Sequence, residues 1–380
     1  MNVNGSPTRT IRLVHMEGEP SIEIIDQRKL PHRMERVNLH TVEDVARAIK
    51  DMYVRGAPLI GATAALGMHL ATCDAVNYAK KTDQPDNAEI RFQSRFREHA
   101  TLLRNARPTA INLMWAVDQQ VLIAKSSPTF NERIQYTRER ALEIIENDVE
   151  QCRLIGVHGL EVIKQLSAKK AKRTVNILTH CNAGWLATVD WGTATSPMYH
   201  AFESGIDIHV WVDETRPRNQ GAKLTAWELG QHGIKHTVIS DNTGGHLMQH
   251  GMVDMVLVGT DRTARNGDVA NKIGTYLKAL AARDNNVPFY VTLPSTTFDM
   301  SIKNGITEIP VEQRDPAEVT HVDGLLDGEL KEVLISPPES PACNYAFDVT
   351  PARLVSALIT EKGICEANEA SITAMFPELV

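Results

Sequence analysis

VNILTHCNAG, residues 175–184, runs from a short β-branched segment straight into small and reactive side chains. The same order recurs downstream in IDIHVWVDE (206–214), KHTVISD (235–241), MVLVGTD (255–261) and PFYVTLP (288–294). Longer helix-like segments lie between them, such as AKLTAWELGQH (222–232) and VANKIGTYLKALAARDN (269–285). Short apolar runs alternating with helices predict a parallel sheet wrapped by helices, an α/β fold. Each run ends in polar groups: Cys181-Asn182, Asp213-Glu214, Asp241-Asn242, Asp261-Arg262 and Ser295-Thr296. Open α/β sheets bind ligands outside the carboxyl ends of their strands, so one cleft is expected to gather all five pairs.

Upstream of residue 172 the periodicity is helical. Thr41 and Asp44 have capping-box spacing, followed by Val45, Ala48, Ile49 and Met52 on one face. LIGATAALGMHLATC (59–73) is rich in Gly and Ala, as a buried helix in close contact with its neighbours requires. ARPTAINLMWAVDQQV (106–121) and the stretch 131–166 continue the pattern, while IRLV (11–14) and IEIID (22–26) supply a small sheet. A chain of 380 residues suits two packed domains. The boundary is placed near residue 145, with a mainly helical domain over 1–145 and a parallel-sheet domain over 146–380.

Forty Lys and Arg against 47 Asp and Glu, a net charge of −7, provide no global field for a nucleic acid, so any phosphate must be caught locally. The first twenty residues contain no apolar signal core, and no run of about eighteen apolar residues suggests a membrane span. The five Cys are scattered without a C-x-x-C pair, which fits free thiols in a reducing cytoplasm. No G-x-G-x-x-G follows a strand, and Gly56-Ala-Pro-Leu-Ile-Gly61 lacks the Lys and hydroxyl of a nucleotide loop. His246 and His250 share a helical face without a third ligand and read as a surface pair. Neither a cofactor nor a metal is expected.

Cys181 stands where a strand should turn into a helix, and a helix amino terminus lowers a thiol from its free value of about 8.5. Read alone, it favours an inert packing residue. Asp261 should project into the same cleft, where a dry pocket raises a carboxyl above about 3.9 and makes it a general acid. Its ordinary alternative is a helix cap or an ion pair with Arg262. Arg55-Gly56-Ala57, Arg107, Gln220-Gly221 and Asn271-Lys272 are candidates for holding phosphate, although such side chains are commonly just solvated.

DQRKLP (26–31), DMYVRGAPLIG (51–61), ARPTAINL (106–113), LTHCNAGWLAT (178–188), VDETRPRNQGAKLTAWEL (212–229), GTDRTARNGDVANKIGTY (259–276), PFYVTLPSTTFD (288–299) and FDVTPARLVSALITEKGI (347–364) together resemble the methylthioribose-1-phosphate isomerases. The wider superfamily also holds ribose-1,5-bisphosphate isomerases and regulatory subunits of the translation-initiation exchange factor. The resemblance implies a helical amino-terminal domain on a Rossmann-like carboxy-terminal domain, in a homodimer. It implies Cys181 and Asp261 as the catalytic pair, with Arg55, Gly56, Ala57, Arg107, Gln220, Asn271 and Lys272 contacting a sugar phosphate. The implied reaction turns 5-methylthio-D-ribose 1-phosphate into 5-methylthio-D-ribulose 1-phosphate, a step of methionine salvage. The alternatives are an isomerase of 5-deoxyribose 1-phosphate, an enzyme of both, or a non-catalytic regulatory subunit. Lys223, Thr260, Phe298, Asn344-Tyr345-Ala346 and the segment 191–205 depart from the usual pattern. Thr260 and Ser196-Pro197-Met198 are expected to reshape the pocket around the 5-substituent.

Overall fold

The computed structural model describes residues 1–81, 87–108, 110–171 and 173–379, so Thr109 of the ARPTAINL motif lies outside the described residues. The chain begins with an antiparallel sheet of β1 (Ile11–Met16), β2 (Glu19–Ile25) and β3 (Arg36–Leu39), with β2 in the middle. Helix α1 (Val42–Lys50) starts on the expected capping box between Thr41 and Asp44. Four more helices follow: α2 (Ala57–Lys80), α3 (Ala88–Ala106), α4 (Ile111–Ser126) and α5 (Phe130–Lys169). Among the described residues α2 alone is long and apolar enough to cross a membrane, and 89% of its apolar window is buried inside the protein. Its small residues let α3, α4 and α5 pack around it, and a Cβ on Gly67 would come within 2.8 Å of Val45.

The second half continues through β4 (Val175–Thr179), α6 (Ser196–Glu203), β5 (Ile208–Asp213), α7 (Ala226–Gln231), β6 (His236–Ile239), α8 (Thr243–Gln249) and β7 (Met255–Val258). Then come β8 (Arg262–Ala264), β9 (Val269–Lys272), α9 (Thr275–Asp284), β10 (Phe289–Thr292) and β11 (Phe298–Asp299). A hairpin of β12 (His321–Leu326) and β13 (Glu329–Leu334) precedes β14 (Phe347–Thr350), β15 (Ala357–Thr360) and β16 (Gly363–Cys365). The main sheet runs β16-β15-β10-β7-β4-β5-β6 and is parallel except for β16 at one edge. This is the α/β architecture read from the alternating runs. A smaller sheet, β11-β8-β9-β14, stands beside it. Residues 269–272 are therefore a strand and not the start of a helix, because Val269–Lys272 lie between two hydrogen-bonding partners and Gly274 takes a left-handed turn before α9.

Residue 145 lies inside α5, a single helix of 40 residues. Ile144 and Ile145 belong to the helical core, while Ile155, Leu160 and Ile163 belong to the core beneath β4 and β5. One rigid element thus carries both hydrophobic cores. In its second half, Gly156 and Gly159 admit α6: a Cβ on Gly156 would lie 2.2 Å from Ser196 Oγ, and one on Gly159 2.4 Å from Pro197. Ser196, Pro197 and Met198 are buried in this helix contact, so the segment serves packing and the expectation that it shapes a ligand pocket is corrected. Overpacking a close-packed contact costs about 1–3 kcal/mol. Gly156→Ala and Gly159→Ala should each lower the urea midpoint by a cost in that range, whereas Gly230→Ala, whose Cβ meets nothing closer than 3.6 Å, should remain near wild type.

Candidate active site

The chain leaves β4 toward β5 and β6, then returns to the opposite side of β4 to form β7. The carboxyl ends of β4 and β7 therefore border the point where the strand order reverses, the place where open sheets bind ligands. Cys181 follows β4 and Asp261 follows β7.

Cys181 has a left-handed backbone, φ 67°, which costs a residue with a Cβ about 1–3 kcal/mol unless its surroundings impose it. Its N–H donates to Thr215 Oγ1 at 2.8 Å, and its carbonyl accepts from Thr225 Oγ1 at 2.7 Å. No long helix starts there. A single turn over Trp185–Ala187 comes first, and α6 begins only at Ser196. The expected lowering of the thiol by a helix terminus is thus corrected: burial pushes the Cys181 thiol up, with Arg55 and Lys272 pulling it back.

Burial also raises the Asp261 carboxyl, against the pull of Lys272, Arg55 and Arg107. Lys272 is lowered by burial, against the attraction of Cys181 and Asp261. The Asp261 N–H donates to the Ala270 carbonyl at 2.9 Å, which ties the end of β7 to β9 and its Asn271 and Lys272. Lys272 Nζ lies 4.7 Å over the Phe347 ring, and Asn271 Nδ2 donates to Thr275 Oγ1 at 3.1 Å.

The helical half delivers the remaining groups. Arg55 donates through Nη1 to Asn182 Oδ1 and through Nη2 to the Asn182 carbonyl, both at 2.5 Å. Gly56, φ 86°, precedes α2; a Cβ there would lie 2.4 Å from the Ala187 carbonyl oxygen. No side chain caps this end, so the N–H groups of Ala57 and Leu59 keep their affinity for an anion, while Pro58 has none and the Ile60 N–H donates to the Gly56 carbonyl. Arg107 Nη2 pairs with Glu312 at 2.9 Å, while its buried Nε has no partner among the described residues, and neither has Gln220 Oε1. Arg55, Gln220 and Lys223 line a cavity of about 200 Å³. Ala57, Arg107 and Asp261 line a second of about 40 Å³ whose other walls include Ile60, Ile309 and Phe347. Arg55, Arg107 and Lys272 outnumber the carboxyl groups of Asp261 and Glu312, a cation-rich set suited to a phosphate.

One of the five strand-end pairs stands elsewhere. Ser295 and Thr296 face Gln151 and Asn112 across another cavity. Thr260 Oγ1 donates to the carbonyls of Arg262 and Ala270, so it fastens β8 and β9 together; of the unusual residues, Lys223 is the one beside Gln220. Sequence reading overlooked Glu228. Its buried carboxylate accepts from the N–H groups of Trp185 and Leu186, from Asn182 Nδ2 and from Tyr199 OH, and so holds the turn after Cys181. The signal was a lone carboxylate within the apolar helix run AWEL. His180, Asp213 and Asp241 form the one metal-like group among the described residues, but Lys278 Nζ already supplies a cation 3.2 Å from Asp213.

This fold and site define a class. A family model described as the initiation factor 2 subunit family matches residues 53–367. The methylthioribose-1-phosphate isomerase of Desulfatibacillum aliphaticivorans is 58% identical over 378 residues, covering 100% of this chain and 99% of that protein. The one from Paramagnetospirillum magneticum is 57% identical over 380 residues, 100% and 99% of the two chains. Among solved structures, 5-methylthioribose 1-phosphate isomerase from Pyrococcus horikoshii OT3 superposes with a TM-score of 0.80 at 37% identity, covering 98% of this chain and 96% of that one. Translation initiation factor eIF-2B, subunit delta, from A. fulgidus gives 0.77 at 35% identity, with 98% and 100% covered. The chain belongs to the initiation factor 2 subunit family and, within it, to the methylthioribose-1-phosphate isomerases.

The raised Asp261 carboxyl has a consequence for stability. The folded protein holds this proton more tightly than the unfolded chain, so stability is lost as pH rises from the ordinary carboxylate range through the raised value. Asp261→Asn should remove that slope and make the protein more stable at pH 8, as read by urea unfolding at pH 4 to 8.

Proposed function

We propose that the chain isomerises 5-methylthio-D-ribose 1-phosphate to 5-methylthio-D-ribulose 1-phosphate, with Asp261 and Cys181 as its chemical pair. The observation that carries this reading is a buried carboxyl whose proton is favoured, placed at the switch point beside a buried thiol and three cations. The phosphate on C1 locks the sugar as a cyclic acetal, so the ring must open with the phosphate in place. An acid is needed at the ring oxygen. Asp261 donates that proton as the bond from C1 to the ring oxygen breaks, hydrogen passes from C2 to C1 through an enolate or as a hydride with Cys181 assisting, and the C2 hydroxyl proton returns to the Asp261 carboxylate as the C2 carbonyl forms.

Arg55, the amino end of α2 at Gly56 and Ala57, Arg107, Gln220, Asn271 and Lys272 hold the phosphate and hydroxyl groups in this reading. The unpartnered Arg107 Nε and Gln220 Oε1 support it, because buried polar atoms otherwise find partners. The working form is a homodimer in the cytoplasm, where its five free thiols stay reduced. Light scattering on the purified protein should return twice the mass of one 42.1 kDa chain.

Turnover without added cofactor, on 5-methylthioribose 1-phosphate and 5-deoxyribose 1-phosphate side by side, tests the activity. The methylthio sugar should have the higher kcat/KM; preference for the deoxy sugar would reassign the substrate, and turnover of neither by folded protein would refute the isomerase. Cys181→Ser and Asp261→Asn should each lower kcat by about 10²–10⁴-fold. Deuterium at C2 retained in the product indicates hydride migration; complete washout indicates the enolate.

A further inference from the structure

The carboxyl end of β4 carries a buried network that the chemical step does not use directly. His180 Nε2 donates to the Ile273 carbonyl at 2.8 Å, and Nδ1 faces Asp213 Oδ2 at 2.9 Å. Both ring nitrogens thus meet acceptors, and the His180 and Asp213 side chains have no exposure to solvent. Lys278 Nζ, from α9, lies 3.2 Å from the same Asp213 oxygen and also donates to the Asp241 carbonyl. Asp241 in turn accepts from the N–H groups of Thr215 and Arg216, each at 2.7 Å, and Thr215 is the residue that receives the Cys181 N–H. Gly274 leaves room for the ring: a Cβ there would stand 3.2 Å from His180 Nε2.

We propose that His180, held by Asp213 and Lys278, is a positioning residue for the isomerisation, clamping the strained Cys181 turn to the strand end that presents Asn271 and Lys272. Ile273 directly follows Lys272, so the ring spans the two segments that must face one substrate from β4 and β9. Removing the ring frees the geometry it held, while Lys278 stays paired with Asp213, so the buried carboxylate keeps its counter-charge. Lys278 supplies the cation that makes an isolated buried Asp213 tolerable.

This inference rests on the proposed activity, and wild-type turnover of 5-methylthioribose 1-phosphate is the control that separates the two. Absence of that turnover refutes the isomerase; turnover with an undisturbed His180→Ala variant refutes only the positioning role. His180→Ala should lower kcat by about tenfold or more while the thermal midpoint of the folded protein stays within a few degrees. If the residue acts through Cys181, adding His180→Ala to Cys181→Ser should cost less than about twofold more, whereas full multiplication of the two losses overturns the proposal. Should Cys181→Ser leave no measurable turnover or His180→Ala fail to fold, Asp213→Asn decides. Its shape is retained, so a kcat loss of about tenfold with KM within about threefold supports the clamp, and wild-type kcat overturns it.

Discussion

Withdrawal of Cys181, Asp261 and Lys272 from water at the carboxyl ends of the central strands is the constraint on which the rest of the site depends. Burial favours the neutral form of each, and the attraction between Lys272 and the other two opposes it. The balance makes a carboxyl able to hold a proton, which is the property an acid at a ring oxygen needs. Arg55 and Arg107 set how far the balance tips, and both come from the helical half, so the chemistry of the sheet is tuned from the other side of the molecule. Arg55 reaches Asn182 directly after Cys181, and Asn182 is held by Glu228. Cation, turn and buried carboxylate thus form one mechanical unit.

That arrangement requires the two halves to be rigidly placed, and α5 does this. The helix has no break near residue 145, so the core around α2 and the core beneath β4 and β5 share one strut. Glycines at 156 and 159 bring α6 close, and Ser196, Pro197 and Met198 contribute to this packing. The amino-terminal stretch joins in as well: Val3, Ile25 and Leu30 pack with Trp185, Leu186 and Leu224, stapling the first sheet to the turn beyond Cys181.

The strand runs beginning at residues 175, 208, 255 and 289 were legible because each is a short, largely apolar stretch ending in polar residues, as strands inside a sheet covered on both faces are written, and the edge strand at 236 through its β-branched residues. Helix α1 was legible through its cap and α2 through its Gly and Ala content. Residues 269–272 were misread because VANK was joined to the helix after it across Gly274; pairing with β8 and β14, a tertiary fact, makes it a strand. The thiol's direction failed for a similar reason. A strand followed by Asn-Ala-Gly looks like a helix entrance, whereas the chain makes a left-handed step and one short turn.

By itself the sequence determined the alternation of strands and helices, the identity of the polar residues at the strand ends and, through long motifs, the family. These are local properties, set by periodicity and by which side chains stand in line. Only the tertiary structure decided which strand ends adjoin, because the crossover from β6 back to β7 places Cys181 beside Asp261 and sends Ser295 elsewhere. It also decided the protonation tendencies, since desolvation depends on everything packed around a group and not on its neighbours in the chain.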